Sequence, residues 1–89
     1  MSQEQGKINE SKVKKYYENQ GYTVLNQNDS GFPDLLILEG KKLVKLVEVK
    51  TPKHPVHKHQ KDYLRSLKAL GFEVEITVIV DDEVNVEIL

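Results

Sequence analysis

The segment DLLILEGKKLVKLVEVK, residues 34–50, constrains this chain more than any other. Leu35–Leu38 and Leu43–Val49 are apolar runs around a turn at Gly40, the pattern of a β-hairpin. A strand wetted on one side carries polar residues at every second place. Arms this nearly continuous predict strands covered on both faces. The covering layers must come from the rest of an 89-residue chain, a length that fits one domain, 1–89.

Two segments have the spacing of helices. Ile8, Val13 and Tyr17 mark an apolar stripe near the N-terminus, with Tyr16 beside it. Ser2 and Gln5 have capping-box spacing, Gly6 weakens the first turn, and Gly21 closes the run. After the prolines of TPKHP, Tyr63, Leu64, Leu67 and Leu70 share one side of a second helix that ends at Gly71. Residues 23–27 (TVLNQ) read as a short strand, EVEITVIV (73–80) alternates, and VNVEIL (84–89) follows a turn as an edge strand. The order helix, three strands, helix, two strands predicts an α/β (α+β) domain with a mixed sheet flanked by helices. The chain has no cysteine, so disulfides and thiolate zinc sites are excluded and a reducing cytoplasm fits. No apolar run is long enough for a membrane span, and the polar first residues do not suit a signal peptide.

The hairpin begins and ends on acids. Asp34 opens the first arm and Glu48 closes the second, which brings them together at one end of the sheet. Two neighbouring carboxylates within apolar arms are costly unless a cation compensates, and an oxygen donor set suits Mg²⁺ or Mn²⁺. Strand geometry adds a condition. Asp34 faces Glu48 directly only if paired positions sum to 82. That requires a three-residue loop, Gly40-Lys41-Lys42, or a bulge; an unbulged two-residue turn would send the acids to opposite faces. Lys50, two residues beyond Glu48, shares its face and could stabilise charge developing on a phosphate. Glu10 lies three and seven residues before Val13 and Tyr17, on the apolar face of its helix.

Pro33-Asp34 followed by Glu48-Val49-Lys50 at the end of the next strand is similar to the PD-(D/E)xK nuclease signature. The wider order sharpens the likeness. Glu10 stands in a first helix and Gly31-Phe32-Pro33-Asp34 follows a first strand. A proline-containing loop follows EVK, and Gln60 leads a helix that ends at Gly71. Residues 6–80 together resemble a stand-alone, virus-type VRR-Nuc domain, and are similar to archaeal Holliday junction resolvases. The resemblance implies a restriction-endonuclease-like αβββαβ core with one added strand. It implies that Asp34, Glu48 and the Val49 carbonyl hold Mg²⁺ or Mn²⁺, and that Glu10 orients a water or helps hold a second ion. Lys50 would polarise the attacking water, and Gln60 would steady Lys50 or the substrate phosphate. The implied activity is endonucleolytic cleavage of branched DNA such as four-way junctions, by a homodimer, in the cytoplasm of a bacterial or phage-infected cell.

Charge is distributed to match. Net charge is −1, but residues 41–68 carry nine of the thirteen basic side chains against two acids, and six acids and no base follow Lys68. Lys53, His57, Lys58, Lys61 and Arg65, with Lys68, could track phosphates toward the acids without reading sequence. A solvated helix face would look the same. His54, His57 and His59 suggest zinc at first sight, but two helical residues two apart diverge by about 200°. The competing readings are a DNA- or protein-binding module on the same fold without catalysis, and a zinc-stabilised interaction domain.

Overall fold

A computed structural model of the chain describes residues 2–27, 32–53 and 56–89, with side chains of the first helix from Ile8 onward. The elements are α1 (Ser2–Glu18), β1 (Thr23–Asn26), β2 (Leu35–Glu39), β3 (Lys42–Lys50), α2 (Lys58–Ala69), β4 (Glu73–Val80) and β5 (Glu83–Ile88). The strands form one sheet in the order β1-β2-β3-β4-β5. β3 and β4 are parallel, joined through α2, and every other neighbouring pair is antiparallel. This is the αβββαβ order with an extra C-terminal strand that the hairpin and helix patterns predict. Among the described residues no helix is long and apolar enough to cross a membrane.

The near-continuous apolar arms are covered on both faces, as expected. Leu35, Ile37 and Val47 pack with Val13 and Tyr17 of α1 and with Val24 on one side of the sheet. Leu46, Val74 and Ile76 pack with Leu64 and Leu67 of α2 on the other. Both helices end on the same hydrogen-bond pattern. Tyr22 N–H reaches the Tyr17 carbonyl and Phe72 N–H the Leu67 carbonyl, with Gly21 and Gly71 at positive φ between.

Four apolar expectations are corrected, those for Ile8, Tyr63, Leu70 and Val80, the last read from the alternation of residues 73–80. Ile8 is 49 % exposed, and Asn9 takes the stripe position instead, buried at a spacing of four from Val13 and eight from Tyr17. Tyr63 and Leu70 are exposed as well. Tyr63 lies about 100° around the helix from the buried Leu64, and Leu70 is the C-cap, beyond the last helical turn. Val80 is exposed because it closes β4 against the turn. The side chains of Ser2 and Gln5, together with Gly31 and His54, lie outside the described residues.

The hairpin meets its register condition by a bulge. β2 and β3 are joined by only two residues, Gly40 and Lys41. Gly40 has φ +64, which suits the first position of a type II′ turn. Near the turn Leu38 pairs with Leu43, a sum of 81, but beyond it Ile37 pairs with Lys45 and Leu35 with Val47, a sum of 82. Val44 is the extra residue. One inserted residue therefore decides that Asp34 and Glu48 meet on one face.

Candidate active site

Glu48 occupies the α2 face of β3, two residues beyond the buried Leu46. It is 4 % exposed. A carboxylate so placed must be compensated. Lys50 Nζ lies 3.1 Å from Glu48 Oε2, and Gln60 Nε2 donates to the same oxygen at 2.8 Å. Gln60 arrives there for a packing reason. Leu64 shares a core cluster with Leu46. One helical turn back from Leu64, about 5.4 Å, matches two residues along the strand from Leu46, about 6.6 Å. Gln60 thus bonds Glu48, where the resemblance implied Lys50 or the substrate phosphate. Thr77, fully buried on β4, donates its hydroxyl to the Glu48 carbonyl at 3.2 Å.

Asp34 stands where the 82 register, continued one step past Leu35↔Val47, places it opposite Glu48. Its Oδ2 accepts the Val49 N–H at 2.9 Å. That bond shows which way the Val49 peptide faces. The Glu48 carbonyl points toward β4, so the main-chain groups of Val49 point toward β2, because alternate residues serve opposite neighbours.

Burial raises the pKa of both acids. For Asp34 the Val49 N–H and the Lys50 charge pull the other way. For Glu48 the Asp34 charge adds to burial, against Lys50 and Gln60. Glu10 is also raised, first by burial and then by the charge of Asp34, which puts α1's carboxylate within electrostatic reach of the pair. Asn26 Nδ2 donates to Glu10 Oε1 at 3.4 Å.

Sequence reasoning missed the tail of β1. Gln27 N–H donates to the Asp34 carbonyl at 2.9 Å, and its side-chain amide to the Pro33 carbonyl at 3.4 Å. Asn26 and Gln27 thus brace Glu10 on one side and the Pro33-Asp34 segment on the other. Two consecutive amides ending a short strand were the available signal. Thr51, directly after Lys50, has a buried hydroxyl without a hydrogen-bond partner among the described residues. Nothing in its sequence context marks it.

The basic middle is partly neutralised by the acidic tail. Lys61 lies 3.6 Å from Glu87 of β5, Arg65 lies 3.9 Å from Asp62, and Lys68 bonds the Leu89 carbonyl. Lys53, His57 and Lys58 are exposed. The imidazoles of His57 and His59 do not diverge. His57 is the N-cap, with extended backbone (φ −74, ψ 161), so the helical angle does not apply, and the two rings stack at 6.2 Å with 8° between planes.

Among the described residues no three His, Cys, Asp or Glu side chains converge as a metal cage. Two carboxylates do come within electrostatic reach of each other, beside the main chain of Val49. Such a donor set fits Mg²⁺, which takes one or two carboxylates and leaves its other positions to water and substrate phosphate.

A family model, the VRR-NUC domain, matches residues 4–79. That is most of the chain, which therefore belongs to the VRR-NUC family. Membership implies a nuclease of the PD-(D/E)xK type acting on DNA. A search of curated proteins finds no match.

Proposed function

We propose that this VRR-NUC protein is a Mg²⁺- or Mn²⁺-dependent endodeoxyribonuclease whose site is Asp34, Glu48, Lys50, Gln60 and Glu10, with the Val49 carbonyl as a third metal ligand. One observation carries the reading. Two carboxylates with raised pKa values share the end of β3 with a lysine and a glutamine that both bond Glu48. A divalent cation, when bound, supplies charge neutralisation at the phosphate and an activated water.

The chain's own residues do the rest. The Val49 N–H fixes the Asp34 carboxylate and the Gln60 amide fixes Glu48, so neither acid has to be ordered when DNA arrives. A cation held by the acids would supply counter-charge to Glu48. Lys50, 3.1 Å from Glu48 Oε2, would then be free to face the scissile phosphate and stabilise the charge that grows in the transition state. Glu10, held by Asn26, orients the attacking water for in-line displacement. Lys53, His57, Lys58, Lys61 and Arg65 contact phosphates on the approach. Since such contacts carry no sequence information, selectivity falls to DNA structure, and the substrate is branched DNA such as a four-way junction.

A symmetric junction needs two cuts, which a two-fold dimer provides. β5 supports a dimer. It is an edge strand, and its Val86 and Ile88 are exposed, the latter at 77 %. Cleavage of labelled four-way junction and linear duplex, in Mg²⁺, Mn²⁺ and EDTA, tests the proposal. Metal-dependent nicking with a junction preference is expected. Binding without metal-dependent nicks would leave a binding module in place of an enzyme. Sedimentation at micromolar concentration reads the oligomer, and a monomer would remove the dimer.

A further inference from the structure

Of the stacked imidazoles at the start of α2, His57 stands above only as one of several phosphate contacts and His59 takes part in no step. His57 occupies the N-cap, where Ser, Thr, Asn or Asp would bond the first free N–H groups, yet its side chain makes no cap hydrogen bond. The first turn holds no acid and carries Lys58 instead, with Lys61 just beyond, adding positive charge to the helix's positive end. These choices weaken the isolated helix and suit an anion at its start. Beside that start, His57 and His59 are both exposed and parallel, 6.2 Å apart with 8° between planes. Gln60, the next residue, bonds the catalytic Glu48 at 2.8 Å. The imidazole pair therefore adjoins, along the chain, the residue that bonds Glu48.

We propose that His57 and His59 form a stacking platform for an unpaired nucleobase adjoining the scissile phosphate. An anionic sugar–phosphate flanking that base would lie against Lys58 and the helix start. In continuous duplex both faces of every base are covered by its neighbours, so the platform finds a partner only at a branch, flap or frayed end. Stacking tolerates any base, because every base has a π-face. The platform thus gives preference for structure without preference for sequence, which lysine contacts to phosphate do not provide. The proposal rests on the nuclease reading for the phosphate beside the acids, but the base contact exists without cleavage.

The experiment measures binding in EDTA, with 2-aminopurine placed as the unpaired base beside a flap junction or inside continuous duplex. Stacking on imidazole is expected to change the fluorescence of the flap probe and leave the duplex probe unaltered. Replacing both residues, His57→Ala with His59→Ala, is expected to weaken flap binding about tenfold and duplex binding by a clearly smaller factor, that of the lost His57 phosphate contact. The Phe pair, which keeps the ring faces, restores flap binding, and the Gln pair, which keeps only hydrogen bonding, does not. Circular dichroism confirms that each variant retains α2. An unchanged flap signal with the parent protein, equal loss on flap and duplex, or rescue by Gln as good as by Phe would overturn the platform. Nicking assays in Mg²⁺ on the same proteins separate the two readings. A platform that binds while no variant or parent nicks DNA sinks the nuclease and leaves the platform.

Discussion

Replacing Asp34 by asparagine is expected to stabilise the metal-free protein while abolishing cleavage. In the 82 register Asp34 faces Glu48, and directly opposed residues hold their Cβ atoms about 5 Å apart. Two unit charges at ~5 Å and an effective dielectric of ~20 repel by about 3 kcal/mol. Solvent at the partly exposed Asp34 and the counter-charge of Lys50 reduce this to roughly 2 kcal/mol. Asparagine keeps an oxygen for the Val49 N–H but loses the charge assistance of that bond, about 1 kcal/mol. The net gain is about 1 kcal/mol, which raises Tm by roughly 4–8 °C in a domain of this size. The sign with pH follows from linkage. Both acids have raised folded pKa values, so the native state holds protons that the unfolded state releases. Their contribution to stability is therefore fully present below the unfolded pKa and lost as pH rises through the folded one. The variant lacks Asp34's share, so its advantage is larger at pH 8 than at pH 4, within the ordinary carboxylate range. Mg²⁺ reverses the ranking. At ten times Kd it stabilises the parent by about 1.4 kcal/mol, and the variant by less. Thermal melts of both proteins at the two pH values, in EDTA and in Mg²⁺, read all of this. A variant less stable than the parent in EDTA at pH 8, or one that gains as much from Mg²⁺, would refute the reasoning.

Three further outcomes follow from the same geometry. Gln27→Ala removes the amide that holds the Pro33 carbonyl; cleavage rate is expected to fall several-fold with near-parental melting, and an unchanged rate would show that Gln27 does not position Asp34. Tyr17→Phe deletes a 2.5 Å bond to the buried Glu75, which Lys45 also holds at 3.1 Å. That should cost about 1.5–3 kcal/mol in urea unfolding, with cleavage by the folded fraction unaffected. Lys58→Ala should weaken binding to every DNA and lower the salt slope by about one; Lys61→Ala should do less, since Glu87 already engages that ammonium, and equal effects in binding titrations would contradict this.

Much of the fold was legible because it is written in short-range pattern. The two apolar arms called for cover on both faces, and α1 and α2 provide it. Gly21 and Gly71 ended their helices where the periodicity stopped. The misjudged helix positions share one cause. Ile8, Tyr63 and Leu70 are apolar residues at the margin of a stripe, and only the orientation of the helix on the sheet decides which margin is covered. Gln60 was legible as a member of an ordered motif, but its partner was not. That it bonds Glu48 depends on α2 packing Leu64 over Leu46. Asn26 and Gln27 left only the faint signal of paired amides at a strand end, and Thr77 none, because an amide or hydroxyl in a strand is ordinary until its neighbour in space is known.

The sequence alone determined the alternation of helices and strands, the acids at the ends of the hairpin, and the lysine two residues beyond Glu48. Those are consequences of local periodicity and of the two-residue repeat of a strand. It also stated a condition, the pairing sum of 82, without saying how it would be met. The tertiary structure chose a bulge at Val44 over a longer loop, and with it the side of the sheet on which Asp34 stands. It also seated the tail of β1 against Glu10 and Asp34, and turned Glu87 toward Lys61. Those contacts join residues far apart in the chain. They form only once two faces of one sheet are buried at the same time, and no short-range pattern carries that information.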